Sequence, residues 1–173
     1  MAKDQELCFP QDYLQLENIY LWESKLERHK EYQPGMHGGH VSVQSREEFE
    51  AEILDAEADS GEKASLFRVK VTQGLRAMLV LEEAEPLHTV EATFAVEYQI
   101  VHPLPDDKMP DFIQFNCAHN VWPFWREHVF ATLRAASLPV LNVPFFNGKQ
   151  LKKTRKARGS SKKSENAPEA MDH

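Results

Sequence analysis

Acid–base chemistry needs polar groups that converge, and the chain's best cluster is His119, Glu127 and His128, with Asp106 and Asp107 upstream. Their spacing matches none of the arrangements in which such groups act together: there is no HExxH, GxSxG, GxGxxG or Walker loop. Next to Arg126, Glu127 and His128 read more simply as a polar strip on a helix, and no enzymatic activity is expected. Metal chemistry is no better supplied. His37 and His40 share a Gly-rich loop without a third ligand, and Cys8 and Cys117 lie far apart without a CxxC or CxxH companion. No metal, cofactor or disulfide framework is expected, and both thiols read as reduced and structural.

Charge narrows the partners further. Lys149 to Lys163 carries eight Lys and Arg and no acid, whereas residues 1–148 hold 12 basic and 24 acidic side chains, a net charge of −12 within a total of −7. Such a body repels nucleic acid and membrane phosphates, and the basic run has no interleaved aromatic residue on which bases could stack. Nucleic acid is therefore not an expected partner; basic or apolar polypeptide surfaces are. The 173 residues contain no run of 18 apolar residues and no basic-then-apolar leader, so no membrane insertion and a cytoplasmic location are expected. The chain divides into a flexible N-terminus (1–11), one domain (12–148) and a basic disordered tail (149–173) that almost lacks apolar residues.

Residues 13–26 alternate like a strand, with Leu14 and Leu16 on one parity and Ile19 and Leu21 on the other, so a β-bulge is expected near Glu17 and Asn18. A Pro/Gly loop follows. Residues 45–58 are ambiguous, since Ser45 and Glu48 resemble a helix capping box while Phe49, Ala51 and Ile53 alternate with Glu50 and Glu52; a strand is favoured. Residues 65–81 alternate strictly, with Gly74 marking a bulge or bend. After a turn at EEAEPLH another β run reaches Val101, which makes an antiparallel meander.

From Asp111, a plausible N-cap, the period turns helical. Phe115, Ala118, Trp122, Trp125, Val129, Leu133 and Ala136 form one apolar line and Cys117, Val121, Phe124 and Ala131 a second. A helix apolar on two sides is buried on two sides. One small sheet covers only one of them, so a subunit interface through Val121, Trp122, Trp125 and Val129 is inferred. Pro123 implies a kink or a restart at Asn120, and Pro139 and Pro144 make Leu138 to Phe146 an extended crossover. An apolar, acidic protein without catalytic groups suits binding of other polypeptides.

NVWPFWREHV followed by LPVLNVPFF resembles the SecB export chaperones, and LQLENIY is similar to that family's first strand. The resemblance covers about residues 12–147. It implies an α+β fold, a four-stranded antiparallel β-meander with a long C-terminal helix packed on one face, assembled as a dimer of dimers, a homotetramer. It further implies an ATP-independent holdase that keeps unfolded precursor polypeptides for a SecA-type motor ATPase. Clients would then lie on Leu138, Val140, Leu141, Phe145, Phe146 and Phe124, and the motor on the acids Glu23, Glu27 and Glu91, with Glu97 as an alternative to the last. The family's second C-terminal helix has no counterpart in the basic segment after Gly148. A chaperone dedicated to one client, such as an antitoxin, is the alternative reading.

Overall fold

Period-2 patterning builds four long strands: β1 (Leu14–Arg28), β2 (Val41–Glu57), β3 (Lys63–Leu79) and β4 (Glu82–Ile100), in one antiparallel sheet of order β1-β4-β3-β2. The computed structural model describes residues 10–31, 33, 41–57, 63–79, 82–143 and 146. His37, His40, Cys8, Phe145 and the basic segment 149–173 lie outside the described residues. β2, β3 and β4 follow one another as a meander. β1 joins the free side of β4, so the first and last strands are neighbours and the β1 and β2 edges face outward. A turn at Pro10–Asp12 precedes β1, which brings Pro10 and Gln11 into the fold. Tyr13 O then accepts from the N–H groups of Val101 (2.8 Å) and His102 (3.0 Å), tying the end of β4 to the start of β1.

The phase change in β1 is a bulge. Leu16 pairs with Tyr98 and Asn18 with Glu97, leaving Glu17 as the extra residue, and a second shift lies between Leu21 and Glu23, at Trp22. The ambiguous segment is a strand: β2 runs against β3 from Val41↔Leu79 to Glu57↔Lys63 without a register shift. Two expectations need correcting. Gly74 sits in an unbroken ladder between Arg46 and Glu91, and the irregularity lies between Ala77 and Leu79 instead. There Met78 pairs with Pro86, which has no N–H to donate. The sequence EEAEPLH is accordingly part of β4 and not a turn.

Helical winding starts at Met109, with Pro110 in the first turn, where a missing N–H costs nothing. Asp111 is therefore inside the helix and not its cap. A π-wound stretch, Phe112–Cys117, leads into α1 (Ala118–Ala135), which passes Pro123 without the expected restart at Asn120. α1 lies across the middle of the sheet, and Ala118, Val121, Trp125, Val129 and Leu133 are buried against Val69, Val71, Phe94, Val96 and their neighbours.

α1 ends by reversing its backbone at Ser137, a non-glycine residue at φ 53°. Ser137 N–H donates to Arg134 O (3.0 Å) and Leu138 N–H to Leu133 O (2.9 Å), the paired closure of a Schellman cap, and Leu133 and Leu138 are both buried. A left-handed residue other than glycine costs about 1–2 kcal/mol. Ser137→Gly is expected to raise stability by about 0.5–1 kcal/mol once the looser unfolded chain is counted. An increase in the urea midpoint at unchanged slope would register it, and a decrease would show that the Ser137 side chain contributes more than its backbone costs.

Candidate functional site

The acid–base cluster does not converge. His119 is exposed, its ring 5.5 Å from that of Phe146, whereas His128 lies nine residues further on, about 13 Å along the helix axis. His128 Nε2 meets Ser24 Oγ at 2.8 Å and Thr132 Oγ1 at 3.4 Å, and its ring stacks on Trp125. Glu127, Asp106 and Asp107 are exposed elsewhere. Burial pushes the Cys117 thiol up to about 12 beside Tyr98, so it holds no reactive thiolate at neutral pH. Among the described residues no three His, Cys, Asp or Glu come together as metal ligands, and no helix is long and apolar enough to cross a membrane.

The sheet face away from α1 carries cross-strand pairs. Arg68 donates from Nε (2.9 Å) and Nη2 (2.7 Å) to Glu97 Oε1, which also accepts from Tyr20 Oη (3.0 Å). Arg68 further contacts Glu52 at 3.3 Å, and the Trp22 ring lies over Lys70, 4.3 Å from its Nζ. Register places Glu23, Glu27 and Glu91 on this face, on adjacent strands. Glu91 pairs with Arg46 at 3.3 Å and Glu27 with Lys25 at 2.7 Å, so two of the three acids have a cation beside them.

On the other face the structure redistributes the expected roles. Val121, Trp125 and Val129 are 0, 2 and 0 % exposed within a single chain, so the inferred subunit interface is corrected: these three are core, with no surface left for a second copy. Leu138 and Leu141 are buried with Val143 in the same core and are likewise withdrawn from the client surface, while Val140 stays exposed beside a groove of roughly 500 Å³ with Phe130, Ala131 and Arg134. Phe124 and Trp122 sit on opposite flanks of α1. Phe124 is 47 % exposed one turn before His128, whose contact with Ser24 marks the β1 side. Trp122 is about 120° round the helix from His128 and stacks edge-on against Phe146 at 5.7 Å, on the side of the crossover.

Among the described residues, both edge strands also carry uncovered apolar side chains on the α1 side, besides Phe124 and Val140. β1 offers Leu16 and Leu21, on the side that Phe124 flanks; β2 offers Val43 and Ile53, with half-buried Phe49 between them and Ser45 and Glu47 on the same side. Sequence reading missed both rows because it weighed aromatic content, whereas the informative signal was edge position combined with alternation.

No protein-family model matches this sequence, and neither does any curated protein. The structure resembles a Mycobacterium tuberculosis SecB-like chaperone, Rv1957, solved in complex with a ChAD peptide from the Rv1956 HigA1 antitoxin. The two share 18 % identity at a TM-score of 0.56, over 78 % of this chain and 91 % of the other. The chain thus has a SecB-like fold.

Two outcomes follow from this packing. Trp125→Ala removes a fully packed aromatic and is expected to cost about 3–5 kcal/mol. The loss should be independent of protein concentration, which unfolding at two concentrations measures; a loss seen only in dilute protein would restore the interface assignment. The second concerns His88, which has 0 % exposure and no hydrogen-bond partner for either ring nitrogen. Burial above all, then Arg28 and His29, holds its pKa below the ordinary histidine value, and burial does the same to His128. The unfolded chain takes up these protons near pH 6.5 and the folded chain only at lower pH, so stability falls as pH drops below about 6.5. His88→Phe is expected to lessen the fall in urea midpoint between pH 7 and pH 5, whereas an undiminished fall would place its origin elsewhere.

Proposed function

We propose that this protein is a nucleotide-independent chaperone of SecB-like fold that binds extended polypeptide and serves one client or a narrow set of clients. The observation that carries the reading is the row of uncovered apolar side chains on the α1 side of the β2 edge, where Ile53 is 64 % exposed. Apolar side chains left uncovered along an unpaired strand edge support a surface that a partner completes. The neighbour's complex with an antitoxin peptide supports a dedicated client over general export. Hand-over to a SecA-type motor draws less support, because Glu91 and Glu27 are engaged by Arg46 and Lys25.

Assembly belongs to the same reading. The β1 flank, with Leu16, Leu21 and Phe124, is the surface through which two copies would pair, leaving the β2 flank for clients; a homotetramer would join two such pairs. Phe124 thereby moves from the client list to the interface. Trp122 moves the other way, towards Phe146 and the crossover.

Light scattering of chemically denatured globular proteins, diluted with and without an equimolar amount of the full chain, tests the reading. Suppressed aggregation is expected for some of these proteins and not for all. Ile53→Asp should lose at least half of that suppression while keeping the wild-type thermal midpoint, since this side chain is mostly in solvent already. Aggregation unaltered by the wild-type chain across every protein tried would rule the proposal out.

A further inference from the structure

We propose that the free edge of β2 takes an incoming polypeptide as a fifth strand and selects segments in which apolar and basic residues alternate. The inference rests on the polypeptide-binding reading above and specifies how that binding is made. The two edges of the sheet differ. β1 carries two bulges, which re-aim an edge and interrupt pairing, whereas the 17 residues of β2 lie in continuous register with β3. Every second residue of such an edge points its N–H and C=O outward, and β2 is therefore the regular template.

The two faces of β2 ask for different chemistry. On the α1 side stand Val43, Phe49, Ala51 and Ile53, with Ser45 and Glu47 between the first two and Glu47 accepting from Gln73; on the other stand Arg46, Glu48, Glu50 and Glu52, so the apolar-beside-acidic stretch is Glu48 to Ile53. Glu48 meets Arg46 at 3.3 Å, Glu52 meets Arg68 at 3.3 Å and Lys70 at 4.0 Å, and Glu50 stands opposite Lys70 in the register, so these cations lie on β2 itself or on the β3 side and none of them on the open side of the edge. A strand added here has the same period of two, so its apolar side chains would extend the Phe49/Ile53 row and the alternate ones would lie beside carboxylates. Lysine or arginine satisfies those positions and acid does not. A second copy of β2 paired antiparallel through Glu48 to Glu52 would bring Glu against Glu at one or more positions, since Arg46 can offset only one acid of each strand. The chain's own segment 149–163 is basic, but it has adjacent pairs such as Lys152 and Lys153 and does not alternate with apolar residues. The occupant with the right chemistry is an extended client segment.

Fluorescence anisotropy with the full chain and three labelled 11-residue peptides tests this: one alternating Lys and Val, one of the same composition with its lysines in a block, and one alternating Glu and Val. The alternating Lys peptide is expected to bind roughly fivefold more tightly than the block peptide, because only the alternating one sets a cation beside each of the three carboxylates while keeping its apolar residues on the α1 side. It should also slow hydrogen exchange at alternate amides of β2. The double variant Glu48→Lys, Glu50→Lys should transfer the preference to the Glu peptide. Equal affinity for alternating and block peptides, or β2 exchange unchanged on binding, overturns the added strand while leaving the chaperone reading in place if denatured proteins are still held. Slow β2 exchange that already depends on protein concentration without peptide assigns the edge to a second copy and overturns the proposal. A chain that binds no peptide and holds no denatured protein loses both readings.

Discussion

One helix cannot cover four strands. The axes of the outer strands stand about 14–15 Å apart, and a helix with its side chains is about 10–12 Å across. Centred over β3 and β4, α1 seals Val69, Val71, Phe94 and Val96 and leaves the outward rows of β1 and β2 with less than full cover. The crossover makes up part of the shortfall by sinking Leu138, Leu141 and Val143 into the core beside the helix. Of the side chains that remain uncovered, Leu16 and Leu21 on one edge and Val43 and Ile53 on the other form the surface on which the functional reading stands.

The opposite face of the sheet is held differently. Its pairs are partly exposed, and exposed ion pairs are worth about 0–1 kcal/mol each, so their number decides little about stability. Their arrangement matters more. The bulge at Trp22 leaves one residue outside the β1–β4 ladder, and the indole lies across Lys70 and Arg68 while Arg68 reaches Glu97 and Glu52. Three strands of neighbouring side chains are thus tied to a fourth, β1, by contacts independent of α1.

Much of this fold was legible because strands report themselves by parity. The shift from Leu14/Leu16 to Ile19/Leu21 located the first bulge, and the return to Leu26 carried the second, which went unread. The helix was harder. Val121 and Trp125 are four residues apart and so about 40° apart round the axis, one broad buried face and not two. Dividing them between two lines created a second face that the chain does not have, and placed an interface on core residues. The caps failed for the opposite reason: Asp111 looked like a start and is already wound into the helix, while Ser137, without glycine's usual signal, makes the reversal. The crossover hid its burial because Leu138, Leu141 and Val143 follow neither a period of two nor one of 3.6, and only packing against α1 distinguishes them from exposed Val140.

A shared fold at 18 % identity constrains the inside of the molecule more than the outside. Many apolar combinations fill the space between one helix and a sheet, and each leaves the same two edges short of cover, so an exposed row on β1 and on β2 is a consequence of the architecture. Which polypeptide completes the β2 row depends on what stands beside it. In this chain Glu48, Glu50 and Glu52 occupy the alternate positions, and like charges opposite one another destabilise a pair of strands. If the edge takes a strand as proposed, the groups that disfavour a copy of itself are those that favour a basic strand. In the proposed mode of binding the same three carboxylates would disfavour self-pairing and favour a basic strand, so a change that relaxed one would also alter the other.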